Sequence, residues 1–152
     1  MDSGIDLIDF GLSRTQFVDG APTSMRTTEK TMSVETVANR FVELCRQGKN
    51  FDVMRTMYAP DIVSVEGDGK ETAGQGPVIK KSEDWVSDKT FHGETVAGPF
   101  YNGANPDQFV VYFTLDVTPK ATGQRKTLEE VAVYTVGKDD KVTREQFFYT
   151  EH

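Results

Sequence analysis

One cysteine, one tryptophan and two histidines in 152 residues remove several classes of function at the outset. Cys45 has no partner for an internal disulfide, and its place among apolar helix positions reads as core packing rather than as a reactive thiol. His92, His152 and Cys45 stand at no spacing that could assemble a zinc site, so no metal and no other cofactor is expected. Cations are outnumbered, 17 Lys and Arg against 24 Asp and Glu, for a formal charge of -7 and a pI near 4.8. Lys80-Lys81 is the only adjacent pair of lysines, and phosphate backbones are bound by clustered cations that release counterions, so no nucleic-acid partner is expected. No apolar run approaches the roughly 20 residues that span a bilayer. The first residues lack a basic region leading into an apolar stretch and a cleavage site, which makes a cytoplasmic protein with no membrane partner the expectation. Gly67-Asp68-Gly69-Lys70 and Gly74-Gln75-Gly76 match neither a Walker loop nor a dinucleotide fingerprint and read as a flexible rim loop.

What is present is enough for one domain, since a 17.0 kDa chain buries roughly 70% of its unfolded surface. Residues 1–31 show no sustained period, hold five acidic and three basic side chains and read as a flexible arm. Its apolar residues Ile5, Leu7, Ile8, Phe10 and Leu12 leave docking as a short strand, or wrapping of a neighbouring subunit, as an alternative. The domain is expected over 32–152, with Ser33 as N-cap of a first helix whose apolar positions Val34, Val37, Ala38, Phe41, Leu44 and Cys45 recur at helical spacing until Gly48. Asn50 is placed as the cap of a second, shorter helix ended by Pro60. Ile62 to Glu66 then reads as a strand, and Pro77 as the first residue of a third helix carrying Ile79, Ser82, Trp85 and Val86.

Four β segments follow, near 91–100, 107–118, 124–136 and 141–150, separated by turn residues and arranged as sequential antiparallel hairpins. In the second of them Phe109, Val111, Phe113, Leu115 and Val117 share the face expected to line the interior. Val110 and Tyr112, with Val131 and Val133 of the next strand, leave the outer face apolar enough to be covered by a second copy, so a homodimer through the convex sheet face is expected.

The first helix RFVELCRQGK, the turn MYAPD with its strand IVSVE, and the C-terminal pair EEVAVYTVGKDDKVTREQFFY together resemble the SnoaL-like family of the nuclear transport factor 2-like, ketosteroid isomerase-like superfamily. The resemblance covers about 34–150. It implies an α+β, cystatin-like fold in which a curved antiparallel sheet wraps around three N-terminal helices to form a cone-shaped pocket. It also implies a small apolar organic ligand. Ketosteroid isomerases carry their general-base Asp at the end of the first strand, where this chain resembles them with Glu66. Their oxyanion donors, a Tyr on the first helix and a protonated Asp on the penultimate strand, fall at Phe41 and near Ala132, so that reaction is not expected.

On the same alignment Glu130, Ala132 and Tyr134 point inward from one strand, and Glu145, Phe147 and Tyr149 from the next. A slip of one residue would exchange them for Glu129 and Arg144. Glu66, Glu130 and Glu145 are therefore the candidate catalytic carboxyls. Phe41, Tyr58, Trp85, Phe113, Tyr134, Phe147 and Tyr149 are the candidate substrate contacts. The chemistry such a set supports is acid-base proton transfer, as in isomerisation, cyclisation or dehydration. The alternative is a non-catalytic binding or dimerisation module whose carboxyls satisfy a buried network. His92 is a weaker candidate proton shuttle. Epoxide hydrolases of this fold use a carboxylate–Arg–carboxylate set, and these registers put no Arg inside.

Overall fold

The computed structural model describes residues 32–150; the reading of 1–31 as an arm lies outside the described residues. Helix α1 spans Val34–Arg46, with the Ser33 hydroxyl accepting the Thr36 N–H at 3.2 Å as the expected cap. Its buried face is Val37, Ala38, Phe41, Val42 and Cys45. Gly48, at φ 72°, turns the chain out of the helix, a conformation that favours glycine. Helix α2 spans Asn50–Met57. Asn50 is not its cap: Lys49 holds that position with no side-chain cap bond, and the Asn50 amide points inward to Glu94.

Strand β1 covers Tyr58–Val65, starting four residues before the sequence pattern suggested. Pro60 is tolerated because pairing with the neighbouring strand breaks between Tyr58 and Val63, so no N–H is needed there. The Gly-rich stretch is a hairpin rather than a flexible rim: Gly69 at φ 86° closes the turn, and β2, Glu71–Ala73, pairs back onto β1. Helix α3, Gln75–Ser87, begins two residues before Pro77 and buries Val78 fully, while Ile79 is only half-buried.

Strands β3 (Lys89–Phe100), β4 (Gln108–Pro119), β5 (Lys126–Val136) and β6 (Val142–Phe148) form the expected antiparallel succession. The sheet is six-stranded, curved and unclosed, in the order β2-β1-β6-β5-β4-β3. One feature had no sequence signal: β1 lies parallel to β6, so Ser64 sits opposite Glu145. All five predicted inward residues of β4 are buried. Phe109, Val111 and Phe113 share a core with α1, where the Phe41 ring lies 5.2 Å from Phe109 and 4.4 Å from Tyr134. Leu115, Val117 and Leu128 form a smaller cluster under Trp85. Among the described residues no helix is long and apolar enough to cross a membrane.

Candidate functional site

Between the helices and the concave sheet face lies an open cavity of about 490 Å³, a size typical of small-molecule sites. The sequence-predicted contacts Phe41, Tyr58, Trp85 and Phe113 line it, as do Tyr134, Phe147 and Tyr149. The predicted register of β5 and β6 is the observed one, with Glu130 and Tyr134 on the cavity side. Glu66 and Glu130 line the cavity as well. Glu145 does not: it is fully buried and stands behind Tyr58, so the expectation that it faces a substrate is corrected. His92 is exposed and bonds Thr118 at 2.7 Å, away from the lining.

Two polar groups interrupt the apolar wall. The first is built on the parallel β1/β6 pair and α3. Tyr149 donates to Glu66 Oε2 at 2.7 Å, Lys81 is ion-paired with Glu66 Oε1, and the Lys81 ammonium also donates to Ser64 Oγ at 2.7 Å. Opposite Ser64, Glu145 accepts the Tyr58 hydroxyl through Oε2, while its Oε1 has no hydrogen-bond partner. Burial holds the Glu145 carboxyl above the usual range; Ser64, Tyr58 and Lys81 favour its charged form without outweighing that burial, and Glu66 adds to the rise. Burial, then Glu145, pushes the Tyr58 and Tyr134 hydroxyls well up. Tyr149 is pushed up to about 12 by burial first and by its bond to Glu66 second. All three tyrosines therefore remain hydrogen-bond donors at neutral pH.

The second group joins α2, β3 and β5. Asn50 Nδ2 donates to Glu94 Oε1 at 2.9 Å, and Asn50 Oδ1 is buried with no hydrogen-bond partner. Glu94 and Glu130 sit on either side of β4, Glu94 opposite Leu115 and Glu130 opposite Phe113. Burial raises the Glu94 carboxyl, the Asn50 amide opposes the rise, and the charge of Glu130 adds to it. Cys45, also on the lining, is pushed up to about 12 by burial and by Glu94, which leaves its thiol protonated and unreactive.

Lys81, Glu94, Asn50 and Ser64 were not among the sequence candidates. Lys81 had a signal: it lies three residues after Val78 and four before Trp85, on the face of α3 that the apolar residues mark as inward. Glu94 had less, because irregularities in the pairing of β3 between Phe91 and Gly93 and between Ala97 and Phe100 spoil a strict alternation. Among the described residues no group of His, Cys, Asp or Glu could hold a metal ion.

The family profile described as SnoaL-like domain matches residues 32–149. A crystal structure of a proposed SnoaL-like polyketide cyclase from Mesorhizobium loti is 40% identical, with 78% of this chain and 100% of that one covered and a TM-score of 0.71. Two more distant structures share the fold. A Mycobacterium tuberculosis protein in complex with estradiol-17β-hemisuccinate is 17% identical over 78% of this chain and 95% of its own, at a TM-score of 0.60. A computationally designed 17-OHP binder is 16% identical over 78% of this chain and 95% of its own, at a TM-score of 0.59. No curated protein matches the chain.

Proposed function

Because the chain belongs to the SnoaL-like domain family, and because its cavity is open and apolar-walled yet carries carboxyls, we propose that it binds a small, mainly apolar organic molecule and moves a proton on it. The observation that carries this reading is the placement of Glu94, Glu130 and Glu66 on the lining of one cavity of about 490 Å³. That the same fold holds estradiol-17β-hemisuccinate in one protein and was designed to hold 17-OHP in another supports the ligand part.

The roles divide by environment. Glu66 is occupied on both oxygens, by Lys81 and by Tyr149, and is thereby committed to partners within the protein. We assign it to orienting Lys81. Glu94 and Glu130 suit the proton transfer itself, since both line the cavity and burial, opposed by the Asn50 amide and helped by the charge of Glu130, raises the Glu94 carboxyl. The ionised member takes a proton from carbon and becomes the acid, the electron pair delocalises into the substrate, and the same proton returns at another atom. That sequence covers isomerisation and, with a leaving hydroxyl, dehydration. Tyr134, which lines the cavity with its hydroxyl pushed well up by burial and so kept protonated, serves as donor to the ligand.

Trp85 is the only tryptophan and lines the cavity, so its emission reports occupancy. Saturable changes in emission with small apolar molecules are expected, diminished in Val86→Phe, which puts a larger side chain on the lining. Failure of every member of a panel spanning cyclic and linear molecules to change the emission would refute the binding reading. Once a turned-over molecule is in hand, Glu94→Gln and Glu130→Gln should each lower turnover; full activity in both would leave a binding module. That second reading is favoured by the bonds that tie up Glu66 and Glu145.

The outer face supports a homodimer. Val110, Tyr112, Val131 and Val133 are half-buried there, and Phe148 is exposed. Sedimentation should give twice the chain mass and Val133→Glu should halve it; a wild-type monomer at micromolar concentration refutes the dimer.

A further inference from the structure

The donors and acceptors of the cavity are unequal in a way that selects a ligand. Its carboxyls supply acceptors in excess. The Tyr58 and Tyr149 hydroxyls are donors by type, but both protons are already given to carboxylates of the protein, Glu145 and Glu66. Lys81 is different. An ammonium has three N–H donors, and only two acceptors, Ser64 Oγ and Glu66 Oε1, are found among the described residues. Among the described residues the third N–H meets no protein oxygen or nitrogen. The Nζ atom lies 5.5 Å from the centre of the Phe147 ring, and the side chain is 26% exposed on the cavity lining. Its orientation is fixed from two sides, by Ser64 on β1 and by Glu66 at the end of that strand. A long, mobile side chain is thereby held as a directed donor before any ligand arrives.

We propose that Lys81 is the anchor for a carbonyl oxygen, so that the molecule bound is a ketone, aldehyde, ester or comparable acceptor rather than a plain hydrocarbon or an amine. This inference rests on the ligand-binding reading of the same cavity. A neutral carbonyl fits better than a carboxylate, because Glu66 already balances the lysine charge and Glu94 and Glu130 face the same space. The ammonium polarises the C=O bond and stabilises negative charge that develops on its oxygen when a neighbouring C–H proton is removed. Phe41 and Ala132, which stand where the related isomerases carry their donors, cannot do this. Lys81 supplies from α3 a charged donor, in addition to the neutral Tyr134 hydroxyl of β5.

The test uses saturated cyclic ketones, trans-decalone and adamantanone, and the matching alcohols and hydrocarbons. Binding is read by Trp85 emission, and the carbonyl stretch of the bound ketone by infrared difference spectroscopy. The stretch is expected at lower frequency in the wild-type site than in alkane solvent. In Lys81→Met it returns toward the alkane value, and ketone affinity falls about tenfold, the worth of one charge-assisted hydrogen bond, with hydrocarbon affinity kept. An unshifted stretch in the wild type overturns the proposal by itself, so the outcome does not depend on the variant's folding. Equal ketone affinity in wild type and a folded Lys81→Met also overturns it while leaving the binding reading intact. Absence of any emission change with ketones, alcohols and hydrocarbons overturns the binding reading together with this one.

Discussion

Replacing Glu145 by Gln should make the protein more stable at alkaline pH, although it removes a bonded carboxyl from the interior. Glu145 is 0% exposed, accepts one hydroxyl and leaves its other oxygen without a hydrogen bond. Burial raises its proton affinity in the folded state above the ordinary value of 4.5. The folded state therefore binds more protons than the unfolded one above that value, and stability must fall as pH rises through the folded-state pKa. The stability tied to this proton is fully present below the unfolded value and is lost on the alkaline side. A difference of one proton gives a slope of about 1.4 kcal/mol per pH unit while it lasts. Glutamine keeps the shape and an acceptor for Tyr58 but has no proton to lose. Urea denaturation at half-unit steps from pH 5 to pH 8.5 should show the wild-type stability declining over part of that range and the variant declining less. At pH 5 the two should agree to within about 1 kcal/mol, the net worth of one neutral hydrogen bond. Parallel profiles, or a variant that loses more stability at alkaline than at acid pH, would refute the assignment of a raised, buried carboxyl.

Gly67→Ala should unseat Tyr149, because an added Cβ would stand 3.0 Å from its ring. The expected loss is about 1 kcal/mol, matched by Tyr149→Phe and not added to it in the double variant, by denaturant midpoints; full additivity would contradict the contact. Cys45, buried and pushed up to about 12, should resist a thiol reagent in the folded protein at pH 8 and react when urea is added; stoichiometric labelling of the folded state would contradict it. Phe109→Ala, at a position with 0% exposure and stacked 5.1 Å from Tyr134, should cost about 3–5 kcal/mol, read from urea denaturation; a loss under 1 kcal/mol would contradict its place in the core.

Most of the frame was legible because it rests on periodicities that the chain states clearly. The helical spacing from Val34 to Cys45 and the strict alternation of Phe109 to Val117 each mark a buried face without help from the rest of the fold. The orientation of Glu130, Tyr134 and Glu145 followed from the same period of two once the register was chosen. What was not legible arises between elements distant in sequence. The parallel pairing of β1 with β6 places Ser64 beside Glu145, and no local pattern encodes that choice. Asn50 looked like a helix cap because that is the common local use of the residue; its bond to Glu94, 44 positions away, wins instead. The short β2 was hidden by glycines that favour a loop as much as a hairpin turn. Lys81 was weighed only as half of the Lys80-Lys81 pair, although its spacing from Val78 and Trp85 placed it on the inward face.

Native mass spectrometry of the gently purified protein, before and after incubation with trans-decalone, tests the central claim that the cavity is a small-molecule site. A discrete added mass that departs on denaturation is the predicted result, retained from expression or gained from the ketone. Bare protein mass in both states would contradict the account and favour an association module with an empty, structural cavity.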